Sequence, residues 1–570
     1  MSPTIDEPIC ELAGYLHVRE GDFAFDADNP PLWKLWAMIP NLGRTLLPEN
    51  APPGAGGSGG AGFITATRRL FQTPGNDGDS FVNRSRAMMT LLGMALVAAT
   101  ARWGWQLGGA STAIVASALV AFDPNFLAHA SLMKADVAVV LITFCTAWAT
   151  WRIGRHATVA NISALCVLCG AAATAKYNAT AAGMIAFGLL TCRALSHAPW
   201  PALGGSLSSR ASRMLAVATI GVLMLAATVA IVWACYAFRF EPSRVAGARL
   251  DLDEQVRLMG LPEGAPPPPS IARVTLFLDR HRLMPQAWLH GLLSIYRSSA
   301  TVSRQSYLMD EVSESGWWYY FPLAMLFKAP LATIAAVIGA LIVSATSRRK
   351  DDEQPDDVAR RWTMLCIGVP TTAYLLAAMT GHVNVGVRHV LPVYPPIYLA
   401  IGLAAKKLRY ARPRAFRIVV PLLGAALVIE TLIAFPNDLS FFNAVARPHR
   451  MYLLSDSNFD WGQGLKSVAA WQREHPDVPL YFGYWGTVDP AFYGIRYTAV
   501  PGGFPTPGAQ PHVLSPSDPP GVLMIGATLL QGVNYPPPVR EYYRRLRELS
   551  PDQVIGDCIY VYRWPRSAIE

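Results

Sequence analysis

The run from Met214 to Tyr236, MLAVATIGVLMLAATVAIVWACY, holds 23 residues and no charge. A helix rises ~1.5 Å per residue, so about 20 apolar residues cross the hydrocarbon of a bilayer, and this run reads as a membrane span. Outward from it, further apolar segments fall at 87–101, 110–122, 135–151, 161–175, 178–192, 321–344, 363–380, 390–405 and 416–435. Several are short for a complete span. With 52% hydrophobic residues, 15% charged and a mean hydropathy of +0.26, the chain is more apolar than a soluble enzyme of its size. The expectation is a polytopic α-helical membrane protein with about ten membrane helices.

Orientation follows from the basic residues of alternate loops. One set holds Arg102, Arg152, Arg155, Arg193, Arg210, Arg213, Arg348, Arg349, Lys350, Arg360, Arg361, Lys406, Lys407, Arg409, Arg412, Arg414 and Arg417, seventeen in all. The short loops of the other set hold only Lys134, Lys176 and Arg388. The first set is therefore expected in the cytoplasm. Residues 1–86, the loop 237–320 and the tail 437–570 are expected outside, around a membrane domain at 87–436. An external start implies one more helix upstream of the chain as written, or an N-tail that crosses unaided.

The net charge of +9 does not point to nucleic acid, because the basic residues lie between apolar spans, where topology and lipid headgroups account for them. Most of the eight cysteines sit in or at the end of apolar segments, so no disulfide framework is visible. Residues 1–86 contain a glycine-rich surface insertion at Ala51–Gly62. The tail changes character: Gly464–Glu474 and Val539–Leu549 read as helices, and Pro479–Tyr484, Val522–Ile525 and Cys558–Arg563 as strands. That is a small external α/β domain.

Several motifs together carry a resemblance. They are the acid pair Asp6-Glu7, Pro30-Pro31-Leu32-x-Lys34, Tyr236-x-Phe238-Arg239, the aromatic run Gly316 to Pro322 before Lys328-x-Pro330, and Arg388-His389-x-Leu391-Pro392. The chain resembles the phospholipid-carrier-dependent glycosyltransferases, a group related to protein O-mannosyltransferases and lipid A aminoarabinose transferases. DSNFDWGQGLK at Asp456–Lys466, followed by Tyr484–Gly494, resembles the external tail of a bacterial branch. One departure is Asn29, where the family has histidine before the double proline.

The resemblance implies a C-type glycosyltransferase fold in the inner (plasma) membrane. Its site lies on the external, periplasmic face and takes sugar from a polyprenyl-phosphate-linked donor to a protein, lipid or glycan acceptor. It implies Asp6 as base, with Glu7 orienting or binding, and an inverting single displacement. The residues agree with such chemistry. Lys176, Arg388 and His389 stand on a base-poor side, and Lys34 joins them as a cation able to hold a phosphate; the plain alternative is snorkelling to headgroups. Asp136, at the start of an apolar span, is a candidate second acid or an interfacial helix cap. Trp317, Trp318 and Tyr320 are candidate sugar or lipid contacts or an interfacial aromatic belt. Asp456, Asp460 and Gln463 read first as a capped helix start. A divalent metal at Asp6-Glu7 with a substrate phosphate is conceivable, although adjacent side chains make a poor cage.

The competing class is a transporter or flippase of a lipid-linked saccharide. That reading requires repeat symmetry and interrupted helices near the midplane, and the sequence has no internal repeat. On the expected topology, a tag at Glu570 is accessible from outside in cells with a permeabilised outer membrane. Protection of that tag from added protease would contradict the assigned orientation.

Overall fold

The computed structural model of the chain describes residues 1–48, 60–245, 247–258, 270–301, 305–346, 357–504 and 510–565. Most of the glycine-rich run lies outside these residues, as does Glu570. Each apolar segment read from the sequence is helical. The later ones form helices at Asp136–Arg155, Val159–Ala175, Ala181–Leu195, Arg210–Cys235, Asp357–Met379, Tyr394–Ala411 and Pro413–Ala434. Among the described residues six helices are long and apolar enough to cross a membrane, or up to seven if a bent pair counts as one span.

Segments 87–101 and 110–122 are two helices, as read from the sequence, within the stretch Gly78–Ala121, and the chain reverses between them at Gly109 with φ 72°. Glycine enters that left-handed region without a Cβ clash. The chain folds back so closely that a Cβ on Gly104 would lie 3.1 Å from Ala113 Cα, a separation that straight helix would stretch to ~13 Å. Segment 321–344 is two helices, Tyr320–Lys328 and Leu331–Thr346, bent by 112°. Pro330 supplies no N–H and pushes Ala329 out of the helical region, to ψ 135°. The freed N–H groups of Leu331 and Ala332 donate to Glu430 at 2.8 and 2.9 Å.

The first long helix also begins earlier than the expected residue 87, at Gly78, where Asp77 caps it by accepting from Ser80 N. Arg86 obscured that start, because an arginine there reads as the edge of the membrane. It is instead buried against Glu7. Residues 7–19 are a helix rather than a loop, with every residue from Glu7 to His17 buried.

Among the described residues, the two loop sets lie at opposite ends of the helical body. At one end Arg193 Nε donates to Gly154 O (2.8 Å), Arg213 Nε to Ala194 O (2.9 Å) and Arg409 Nη1 to Ser111 Oγ (2.8 Å). At the other end Lys134, Lys176 and Arg388 converge on acids, as described below.

The C-terminal region carries a five-stranded mixed sheet: β1 (Leu480–Gly483), β2 (Thr498–Ala499), β3 (Gly521–Gly526), β4 (Gln553–Ile555) and β5 (Ile559–Trp564). Its order is β2-β1-β3-β5-β4, with β1 parallel to β2 and β3 and the remaining pairs antiparallel. Helices Leu465–Glu474 and Pro537–Glu548 accompany it. The N-terminus is tied to this region: Ser2 N donates to Gln463 O (3.2 Å) and Ile5 N to Trp461 O (2.9 Å). All eight cysteines are free, with Cys10 and Cys558 both buried.

Close helix packing depends on small residues here. A Cβ on Gly402 would fall 2.7 Å from Thr112 O, whereas one on Gly424 meets nothing within 4 Å. Gly402→Val is therefore expected to cost about 1–3 kcal/mol and to lower the unfolding temperature of the detergent-purified protein, while Gly424→Val leaves it near wild type.

Candidate active site

The acid pair Asp6-Glu7 is divided by the fold. Glu7 is fully buried, and both its oxygens are occupied. Oε1 accepts from Arg86 Nε (2.8 Å) and Met133 N (3.0 Å); Oε2 accepts from Arg86 Nη2 (2.6 Å), Thr4 N (2.8 Å) and Thr4 Oγ1 (3.2 Å). Burial alone would raise this carboxyl, but the Arg86 guanidinium outweighs it and holds Glu7 below the ordinary carboxylate range. Glu7 is thus an anchor. By pinning Met133 it also sets the neighbouring Lys134.

Asp6 occupies the N-cap position of the helix but makes no side-chain capping bond. Its Oδ2 pairs instead with Lys134 Nζ at 3.0 Å, with the carboxylate 21% exposed. Burial would lower Lys134, but Asp6, with Cys10 and Asp136 adding to it, raises it.

Beside this pair, Asp136 accepts from Lys176 Nζ at 3.2 Å and from Arg388 Nη1 at 3.5 Å. Two cations share one carboxylate, so this triad carries one excess positive charge. Arg388 is further held by Ser457 Oγ (2.9 Å from Nε) and lies over the Trp461 ring, 4.4 Å from its centroid. Asp6, Asp136 and Asp456 all lie within electrostatic reach of Arg388. His129, pushed down to about 3 by burial and by the charges of Arg388 and Lys328, stands neutral nearby.

The cluster adjoins a cavity of about 420 Å³. Its wall is mostly apolar, from Phe144 and Ala147, Ile185 and Leu189, Ile367 and Pro370, with Asn178, Tyr374 and His389 among its polar residues. Asn178 and His389 follow close on Lys176 and Arg388 in the chain, so the triad lies beside this part of the cavity wall.

The structure therefore brings together Asp6, Asp136, Lys176, Arg388 and His389. It does not bring in Lys34, which is completely buried and bound to Asp26 Oδ2 at 2.8 Å, beside Asn29, which donates to the other oxygen of Asp26. The aromatic run is divided as well. Tyr320 is buried and its hydroxyl accepts from Asn458 Nδ2 (2.9 Å), whereas Trp318 is 68% exposed and points outward as an interfacial residue would. Trp317 is half-buried, its backbone N donating to Asn384 Oδ1.

Sequence reasoning passed over three members. Lys134 was visible in the count of basic residues on the base-poor side, alongside Lys176 and Arg388. Ser457 and Trp461 lie in the DSNFDWGQG stretch, where a capped helix start was the plainer reading.

Among the described residues no three His, Cys, Asp or Glu side chains come together as metal ligands. Asp6 and Glu7 also cannot chelate jointly, because the oxygens of Glu7 are taken by Arg86, Met133 and Thr4. The charges available to a phosphate at this site are ammonium and guanidinium groups.

Residues 63–245 match the family dolichyl-phosphate-mannose-protein mannosyltransferase, and the resemblance to phospholipid-carrier-dependent glycosyltransferases is borne out. That stretch contains Arg86, Lys134, Asp136 and Lys176. Among solved structures, the chain is similar to ArnT from Cupriavidus metallidurans in the apo state, at 13% identity, covering 99% of this chain and 93% of that one with a TM-score of 0.28. It is likewise similar to ArnT from the same organism bound to undecaprenyl phosphate, at 14% identity, covering 99% and 95%, with the same TM-score of 0.28. No curated protein matches the chain.

Removing the Glu7 charge leaves Arg86 buried without its partner, a loss of about 3–5 kcal/mol. Glu7→Gln should therefore reduce the yield of folded protein and its unfolding temperature, and Glu7→Gln with Arg86→Met should recover part of both. Because the folded pKa of Glu7 is lowered, its contribution is complete above the unfolded carboxylate pKa and is lost as pH falls through the folded value. A pH series of unfolding temperatures that is flat through the acid range would contradict this.

Proposed function

We propose that this protein is an integral-membrane glycosyltransferase that takes a sugar from a polyprenyl-phosphate carrier and passes it to an acceptor at the face opposite the base-rich loops. The observation that carries the reading is the Lys176–Asp136–Arg388 triad, two cations on one carboxylate, near the Asp6–Lys134 pair and next in the chain to Asn178 and His389 of an apolar cavity wall. A polyprenyl chain needs an apolar channel, its phosphate needs cations at headgroup depth, and the acceptor needs a carboxylate within reach of the sugar. The site combines all three.

In this mechanism Arg388 and Lys176 hold the carrier phosphate, and Lys134 stands close enough to share its charge as the glycosidic bond breaks. The departing polyprenyl phosphate is a stable anion, so no general acid is needed. Asp6 takes the proton of the acceptor hydroxyl or amine as that group attacks the anomeric carbon from the side opposite the leaving phosphate. The single displacement inverts the anomeric configuration, in contrast to the paired carboxylates of a retaining glycosidase. Asp136 keeps the two cations apart and aimed. The face is read as external, and in a bacterium as periplasmic, from the loop charge bias.

The membrane domain is proposed to span the bilayer about ten times, with the C-terminal sheet outside. A flippase is the weaker reading, because the charged groups gather at one end of the helical body instead of at its middle.

The test is transfer from a synthetic polyprenyl-phosphate sugar by detergent-purified protein, read as release of polyprenyl phosphate. Asp6→Asn is expected to lower the rate by about 10²- to 10⁴-fold while the carrier still binds. Arg388→Ala is expected to weaken carrier binding itself. Near wild-type turnover in Asp6→Asn would remove Asp6 as the base.

A further inference from the structure

The segment Ser455–Gln463 comes from the C-terminal region, yet most of its polar contacts are made with the membrane body and the N-terminal stretch. Ser457 Oγ donates to Val385 O (2.8 Å) and accepts from Arg388 Nε (2.9 Å). It approaches so closely that a Cβ on Gly386 would lie 2.2 Å from it. Asn458 accepts from Val387 N through Oδ1 (2.8 Å), donates to the Tyr320 hydroxyl (2.9 Å), and through its carbonyl accepts from Lys328 Nζ (2.6 Å).

Trp461 has two contacts that matter more. Its indole lies under the Arg388 guanidinium, and its carbonyl accepts from the backbone N of Ile5, the residue before Asp6. Trp461 is 1% exposed, so its indole is packed in place and one residue carries both contacts. The loop is bound to its own domain by Asp460, whose Oδ2 accepts from Thr528 N (3.1 Å) in the helix that follows β3.

We infer that this loop is a spacer within the site: Ser457 and Trp461 are positioning residues that fix Arg388 relative to Asp6, and so set the distance between the carrier phosphate and the carboxylate that activates the acceptor. The inference rests on the functional reading above. The separation of base and leaving group decides whether the acceptor can reach the anomeric carbon, and a displacement of about 1 Å is enough to cost rate. The cation–π contact and the hydroxyl restrain the guanidinium from two directions. The C-terminal sheet is thereby a participant in the geometry of transfer.

The test compares Ser457→Ala and Trp461→Leu with the conservative Ser457→Thr and Trp461→Phe, all in full-length protein. Trp461→Leu should transfer at least about tenfold more slowly at saturating donor, and Ser457→Ala should bind a synthetic polyprenyl phosphate several-fold more weakly. Trp461→Phe and Ser457→Thr should recover most of each loss, and the unfolding temperatures of Ser457→Ala and Trp461→Phe should match wild type. Wild-type binding and turnover in Ser457→Ala and Trp461→Leu would overturn the inference. So would equal losses in Trp461→Leu and Trp461→Phe that follow unfolding temperature alone. If Trp461→Leu does not fold, the Ser457 pair decides. A wild-type protein that binds no polyprenyl phosphate would instead overturn the functional reading, and the spacer role with it.

Discussion

The arginine of the first long helix and the carboxylate of the N-terminal helix neutralise each other in a buried site, and much of the site's geometry follows from that pair. Arg86 takes both oxygens of Glu7, and through Nη2 it also donates to the carbonyl of Ser2 at 3.1 Å. This holds the N-terminal stretch against the membrane body and against the 461–465 segment. Once Glu7 is fixed inward, Asp6, one residue earlier and turned by about 100°, is left to meet Lys134. Lys134 is itself placed by the Met133 N–H bond to Glu7. Breaking a buried pair leaves an uncompensated charge in a low-dielectric interior, so the pair acts as a fixed reference for the residues around it.

Three kinds of ion pair occur near this end of the protein, and their stoichiometry separates structure from chemistry. Glu7–Arg86 and Asp26–Lys34 are one-to-one, buried and supplemented by further hydrogen bonds; they close the fold and offer nothing to a ligand. Asp136 is shared by Lys176 and Arg388, so within that triad the cations outnumber the carboxylate, with Asp456 a further acid within reach of Arg388. Asp6 pairs with Lys134 and stays partly open to solvent, which suits a carboxylate that must accept a proton from an arriving acceptor. Counting partners per carboxylate sorts these groups better than burial alone, because Asp136 is as deeply buried as the structural pairs.

The helical segments were legible because each is a predominantly apolar run, and the base-poor loops exposed Lys134, Lys176 and Arg388 through charge bias alone. What was not legible depended on distant partners. Lys34 looked like Lys176 in the sequence, and only the approach of Asp26 shows that its charge is consumed. Tyr320 and Trp318 sit two residues apart in one aromatic run, but Asn458, over a hundred residues on, draws one of them inward. The break between segments 87–101 and 110–122 was legible, but that Gly109 makes the turn shows only in its φ. Ser457 and Trp461 were masked by a capping pattern that their neighbours Asp456 and Asp460 imitate.

The central claim is that a carrier phosphate sits on the Lys176–Asp136–Arg388 triad with its chain in the adjoining cavity. A cryo-electron microscopy structure of the protein in lipid nanodiscs with a polyprenyl phosphate tests it directly. The account predicts phosphate density within hydrogen-bond distance of Arg388 and Lys176, and chain density between Phe144, Ile185 and Ile367. Phosphate density at any other site, with that cavity empty, would contradict it.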